Sequence, residues 1–144
     1  MGLIEVASNN SVWSGINYYE NRNVQSWIKS GDSTYEGIVS GSEGNAYSVH
    51  IDTLHPRKST CNCPFAVGRR VVCKHMLAVY FTAEPHVAMD FMKQVEEWEI
   101  EEDEREQQAF MEIRQYVYSL SMTELQEQLC SALMELEDRW RNNW

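Results

Sequence analysis

The sequence predicts an α+β fold in which a small antiparallel sheet comes first and helices follow. Residues 24–52 contain segments that alternate apolar and polar side chains, and residues after Pro85 repeat apolar side chains at helical spacing. The charge steps at the same place. The chain has 144 residues and a formal net charge of −10, yet residues 1–85 carry seven basic and seven acidic side chains, whereas residues 86–144 carry five and fifteen. The step and Pro85 predict two parts: 1–85, a strand region with a small module at its end, and 86–144, an acidic helical extension.

The elements follow in chain order. Residues 1–12 are weakly patterned, and Ser11 to Tyr19 reads as a short helix or turn anchored by Trp13, Ile16 and Tyr19. Val24 to Lys29 alternates loosely. Thr34 to Ser40 places Tyr35, Gly37 and Val39 on one face, and Ala46 to Asp52 places Tyr47, Val49 and Ile51 on one face. The connections Ser30-Gly31-Asp32-Ser33 and Gly41-Ser42-Glu43-Gly44-Asn45 have hairpin composition. Ser59 to Cys63 reads as a further extended piece, stopped by Pro64. Lys74 to Ala83 reads as a helix apolar on most sides, which must be buried between two surfaces.

Beyond Pro85, Val87, Phe91, Val95 and Trp98 form one helical stripe. Residues 96–106 then hold eight acidic side chains among eleven, and Phe110, Ile113 and Val117 resume the stripe. Ser119-Leu120-Ser121 breaks the helix, and Ser121 with Glu124 fits a capping box. A last helix carries Leu125, Leu129, Leu133, Leu136 and Trp140 on one face, with Cys130 expected to be a buried free thiol beside it. Trp98 and Trp140 stand at core-like spacing, and Trp144 is not readily assigned.

Composition narrows the function. With 43% hydrophobic and 24% charged residues the chain is expected to be globular. Its acidity excludes a protein that coats nucleic acid with its whole surface. No apolar run approaches the roughly 18 residues of a membrane span. The first residues lack the basic and apolar regions of a signal peptide, and Val6 stands where a myristoylation signal has Ser or Thr. A cytoplasmic, reducing location is therefore expected, so the cysteines are not read first as disulfides.

The chemistry concentrates in Cys61-Asn62-Cys63, nine residues, then Cys73-Lys74-His75, a C-x-C-x9-C-x-H pattern. Three thiolates and an imidazole make a closed tetrahedral donor set for zinc. Cys61 and Cys63 point the same way on an extended segment. Cys73 and His75 converge only if Cys73 lies in the turn before the helix and His75 in its first turn. Three small buried cysteines are the plain alternative, and a C-x-C redox centre would leave Cys73 and His75 unexplained. A catalytic zinc is disfavoured, because four protein ligands leave no position for water. The expected cofactor is one structural Zn2+ per chain.

These residues resemble a known family. Cys61-Asn62-Cys63-Pro64, the spacer, and Cys73-Lys74-His75-Met76-Leu77-Ala78-Val79-Tyr80 look like a SWIM zinc finger of the bacterial stand-alone type. Upstream, Gly15, Tyr18-Tyr19, Val24, Val39-Ser40-Gly41-Ser42 and Tyr47-Ser48-Val49 are similar to the strand region before the finger, so the resemblance covers about residues 11–83. It implies a strand–strand–helix finger with core 59–83, zinc bound by Cys61, Cys63, Cys73 and His75, and a role in binding protein or DNA. By family association, it also implies a helicase-type ATPase as a possible partner. The chain contains no G-x-x-x-x-G-K-[ST] motif of its own.

Other features sharpen the expectation. Arg57, Lys58, Arg69, Arg70 and Lys74 lie in a window with no acidic residue between Asp52 and Glu84, and are candidate phosphate contacts. The plain alternative is solvation and screening of an anionic zinc–thiolate centre. Tyr18, Tyr19, Trp27, Tyr35 and Tyr47 could stack bases, but cross-strand and core roles are commoner. The acidic run is a solvated helix face, a cover for the basic window, or a dock for a basic partner. The expected function is that of a non-catalytic protein-interaction adaptor, with a nucleic-acid-binding module as the rival. No membrane and no small-molecule substrate is expected.

Overall fold

The computed structural model describes residues 2–143. Their chain divides into two compact units, Met1–Gln94 and Val95–Trp144.

In the first unit, β1 (Val24–Lys29), β2 (Thr34–Ser40), β3 (Ala46–Asp52) and β4 (Thr60–Cys61) form one antiparallel sheet in sequence order. The two hairpins set the register: Tyr35 opposes Ile51, Gly37 opposes Val49, and Val39 opposes Tyr47. The expected alternation is realised, because Tyr35, Gly37, Val39, Val49 and Ile51 are all buried on one face. β1 is different. It is one of the two edge strands and is exposed along nearly its whole length, with Trp27 tilted over Tyr35 at 6.1 Å.

Helix α1 (Leu3–Val6) and helix α2 (Asn9–Glu20) precede the sheet, and α3 (Lys74–Ala83) follows it. Ser8 caps α2, its hydroxyl accepting from the Ser11 N–H at 3.2 Å. α3 lies between α2 and the buried face of the sheet, with Met76, Leu77, Val79 and Phe81 inaccessible to solvent. Two glycines allow this approach. A Cβ on Gly15 would stand 2.7 Å from the Leu77 Cβ, and one on Gly37 would stand 2.9 Å from the Val79 Cγ2. Pro85 opens the long helix α4 (Pro85–Ser119), where a missing N–H does no harm. Ala88 is buried there, and Phe91 meets Trp13 edge-on at 5.5 Å.

The second unit contains the rest of α4 and α5 (Met122–Asn142). The capping box forms as expected: Glu124 N–H donates to the Ser121 hydroxyl at 3.2 Å, and Ser121 N–H donates to the Glu124 carboxylate at 2.8 Å. The apolar stripes form, but they are not buried. Trp98, Phe110, Ile113, Leu129, Leu133, Leu136 and Trp140 are all exposed, so the core-like spacing of Trp98 and Trp140 does not make a core. Cys130, expected to be buried, is exposed as well. The reason is that α4 and α5 make no extensive contact with each other, so neither covers the stripe of its neighbour. Trp144 lies outside the described residues. No helix among the described residues is long and apolar enough to cross a membrane.

Candidate metal centre

Three backbone segments meet at the end of the sheet. Cys61 belongs to β4 and opposes Val49 on β3. Asn62 prolongs that pairing beyond the strand: its side-chain oxygen accepts the Ser48 N–H at 2.8 Å, while its own N–H donates to the Ser48 carbonyl at 3.4 Å. The residue between the two cysteines thus ties both to β3. After Cys63 the chain turns tightly, with the Ala66 and Val67 N–H groups donating to the Cys63 carbonyl and Arg69 N–H to that of Ala66. Gly68 takes a positive φ of 71° in this turn, a backbone state that other residues resist.

The returning chain delivers Cys73 as the N-cap of α3 in extended conformation, and His75 as the second residue of the helix. This arrangement makes two residues at i and i+2 converge. Cys61, Cys63, Cys73 and His75 are all buried, and their donor atoms lie within 4.8 Å of one another. The His75 Nδ1 faces the sulfurs, 3.8 Å from Cys61 Sγ and 3.9 Å from Cys73 Sγ. A tetrahedral zinc with ordinary bond lengths separates such donors by about 3.5 to 3.8 Å, so the cluster nearly has the size of the ion's coordination shell.

The electrostatics agree. Cys73 is pushed down to about 4, first by its hydrogen bond with Cys61 and against the effect of burial, then by His75 and the Met76 N–H at the helix start. Cys61 is pushed up, by the same bond to Cys73 and by burial, and Cys63 is pushed up by burial and by the Cys73 charge. Burial and mutual repulsion oppose the ionisation of three sulfurs this close, and a cation among them favours it. A soft donor set of three thiols and an imidazole, buried together, fits Zn2+.

Residues 44–84 match the family model of the SWIM zinc finger. This segment is similar to a SWIM zinc finger. The match takes in β3, β4, the loop and α3, and leaves α2, β1 and β2 outside. It is accordingly narrower than the resemblance over residues 11–83. No curated protein and no solved structure was found to match the chain. The four side chains of the finger are poised to hold one metal ion, in keeping with one structural Zn2+.

The basic residues around the finger have different immediate surroundings. Arg57, Lys58 and Arg70 line an open cleft of about 630 Å³ with Val6, Leu54, His55 and Pro56. Arg57 and Lys58 are held there by a short 3-10 turn, which Asp52 anchors by accepting the Leu54 and His55 N–H groups at 3.0 and 2.9 Å. Arg69 instead stacks on Phe65 at 5.0 Å, and Lys74 lies over the Tyr18 ring at 4.8 Å. Of the aromatic candidates, Tyr35 is core, Tyr19 packs on Phe81, and Tyr18 and Tyr47 both pack on His75. Sequence reasoning did not find Asn62. Its only signal was a polar side chain set between two ligand-type cysteines.

Proposed function

We propose that Cys61, Cys63, Cys73 and His75 ligate one structural Zn2+, and that the protein is a non-catalytic adaptor whose helical segment holds a protein partner. Four protein donors would complete the zinc shell, which supports a metal that stabilises the fold and performs no chemistry on a substrate. The adaptor reading is carried by one observation. The Val95–Trp144 unit exposes a long apolar stripe on α5, with Leu129, Leu133 and Trp140 each more than half exposed, and its α4 segment carries eight acidic residues among positions 96–106. Soluble proteins rarely leave such a stripe uncovered. The chemistry that matches it is an amphipathic helix with lysine or arginine beside its apolar face. Nothing in the family match points to a helicase-type ATPase as that partner.

The test is calorimetric titration of the full chain with a leucine–lysine amphipathic peptide. Saturable binding is expected, lost in the Leu129→Ser/Leu133→Ser variant and weakened when the acidic residues of 96–106 become Gln. Equal binding of an apolar-free polylysine peptide would reduce the interaction to charge alone and remove the adaptor reading.

The cleft of Arg57, Lys58 and Arg70 favours a second reading, contact with nucleic-acid phosphates. Phosphate contacts by these three residues would give a log–log salt slope of roughly −3 for duplex binding by the full chain. Absent or salt-independent binding of labelled duplex removes it.

A further inference from the structure

We propose that Tyr18 and Tyr47 are positioning residues for the metal centre: their rings hold the His75 imidazole with Nδ1 on the sulfurs, in place of a hydrogen bond to its other nitrogen. This inference rests on the zinc reading above. Nδ1 is the atom turned to Cys61 and Cys73. With Nδ1 on a metal, Nε2 must carry the proton, because the ligand is neutral imidazole. A metal-bound histidine ordinarily gives that N–H to a carboxylate, a backbone carbonyl or water, which fixes the ring. His75 is 4% exposed, and its Nε2 has no hydrogen-bond partner among the described residues.

Aromatic rings surround it instead. Tyr47 from β3 lies over the imidazole at 4.6 Å and 37°, and Tyr18 from α2 meets it edge-on at 5.3 Å and 65°. The Lys74 ammonium covers the Tyr18 ring in turn and fixes it. The two tyrosines come from different elements, so the ring is clamped between helix α2 and the sheet. Neither tyrosine hydroxyl is needed for this; the aromatic rings are.

The experiment measures zinc affinity by chelator competition on the full chain and reads the His75 ring by NMR. The expected results are a 10- to 100-fold weaker affinity for Tyr47→Ala and Tyr18→Ala, on the scale of losing an outer-shell partner, and near-native affinity for Tyr47→Phe and Tyr18→Phe. Tyr19→Ala, which removes a ring from Phe81 and not from His75, serves as the stability control and should retain affinity. Long-range 15N couplings should show Nδ1 on the metal, with a slowly exchanging Nε2–H. Three results would overturn the clamp: Phe variants as weak as the Ala variants, equal loss in Tyr19→Ala, or Nε2 on the metal. Wild-type protein that purifies without zinc would refute the zinc reading itself, which keeps the two failures apart.

Discussion

Tyr35 shows how one side chain reports on the fold. Its hydroxyl donates to the Glu84 carboxylate at 2.6 Å, linking β2 to the end of α3. That hydrogen bond, and then burial, push Tyr35 up to about 12 from an ordinary 10. A raised pKa means that the fold prefers the neutral phenol. The contribution is complete below pH 10 and is lost as pH rises through 12. Tyr35→Phe should therefore be less stable by about 1 to 3 kcal/mol at pH 8, with the two denaturation curves converging as pH approaches 12. Urea midpoints measured for both proteins from pH 8 to 12 check this; parallel curves would mean the bond does not carry the effect. At this scale the sequence was legible where spacing is short. The four donors lie within fifteen residues, and their types limit what they can bind. Tyr35–Glu84, Asn62–Ser48 and Tyr18–His75 join residues far apart in sequence, and no local pattern announces them.

The elements follow periodicity closely. Thr34–Ser40 and Ala46–Asp52 are legible because each has one buried face and turn-rich ends. α3 is legible because an all-round apolar helix needs cover on both sides. α1 is only four residues, too short to show a period, although its Leu3 reaches the core. Nor do the glycines announce their packing role: Gly15 enters only through the family resemblance and Gly37 only as a strand-face position, yet each marks a place where α3 touches its neighbour's backbone. Gly15→Ala and Gly37→Ala should each destabilise the fold by about 1 to 3 kcal/mol by overpacking, since the neighbouring atoms belong to a Cβ and a packed valine. Gly44, at a positive φ with open space around it, provides a contrast: Ala there should be unfavourable through backbone strain alone. Thermal melts of the three variants test the packing argument, which fails if Gly15→Ala and Gly37→Ala melt with the wild type.

For the whole molecule, the charge step at Pro85 was legible by counting, whereas the fate of the helical stripe was not. Periodicity says that a face is apolar; it cannot say whether its cover lies in the same chain. The same distinction decides what metal removal should do. The first unit builds its core around α3, and two of the four donors sit at the start of that helix, while Cys61 ends the last strand and Cys63 lies two residues on. Without a cation nothing offsets the cost of charging three buried sulfurs side by side, and the two ends lose their tie. The second unit has no share in that core, and its α5 begins with its own capping box. Chelation should therefore act unevenly. Near-ultraviolet dichroism from the aromatic residues packed around α3 should collapse and the cooperative melt should disappear, while far-ultraviolet helix signal falls by much less. Restoring about one equivalent of zinc should recover both, because binding free energy at such a site is also folding free energy. A chelated protein that keeps its aromatic dichroism and its melting transition would show that the sheet and α3 are held by apolar packing alone.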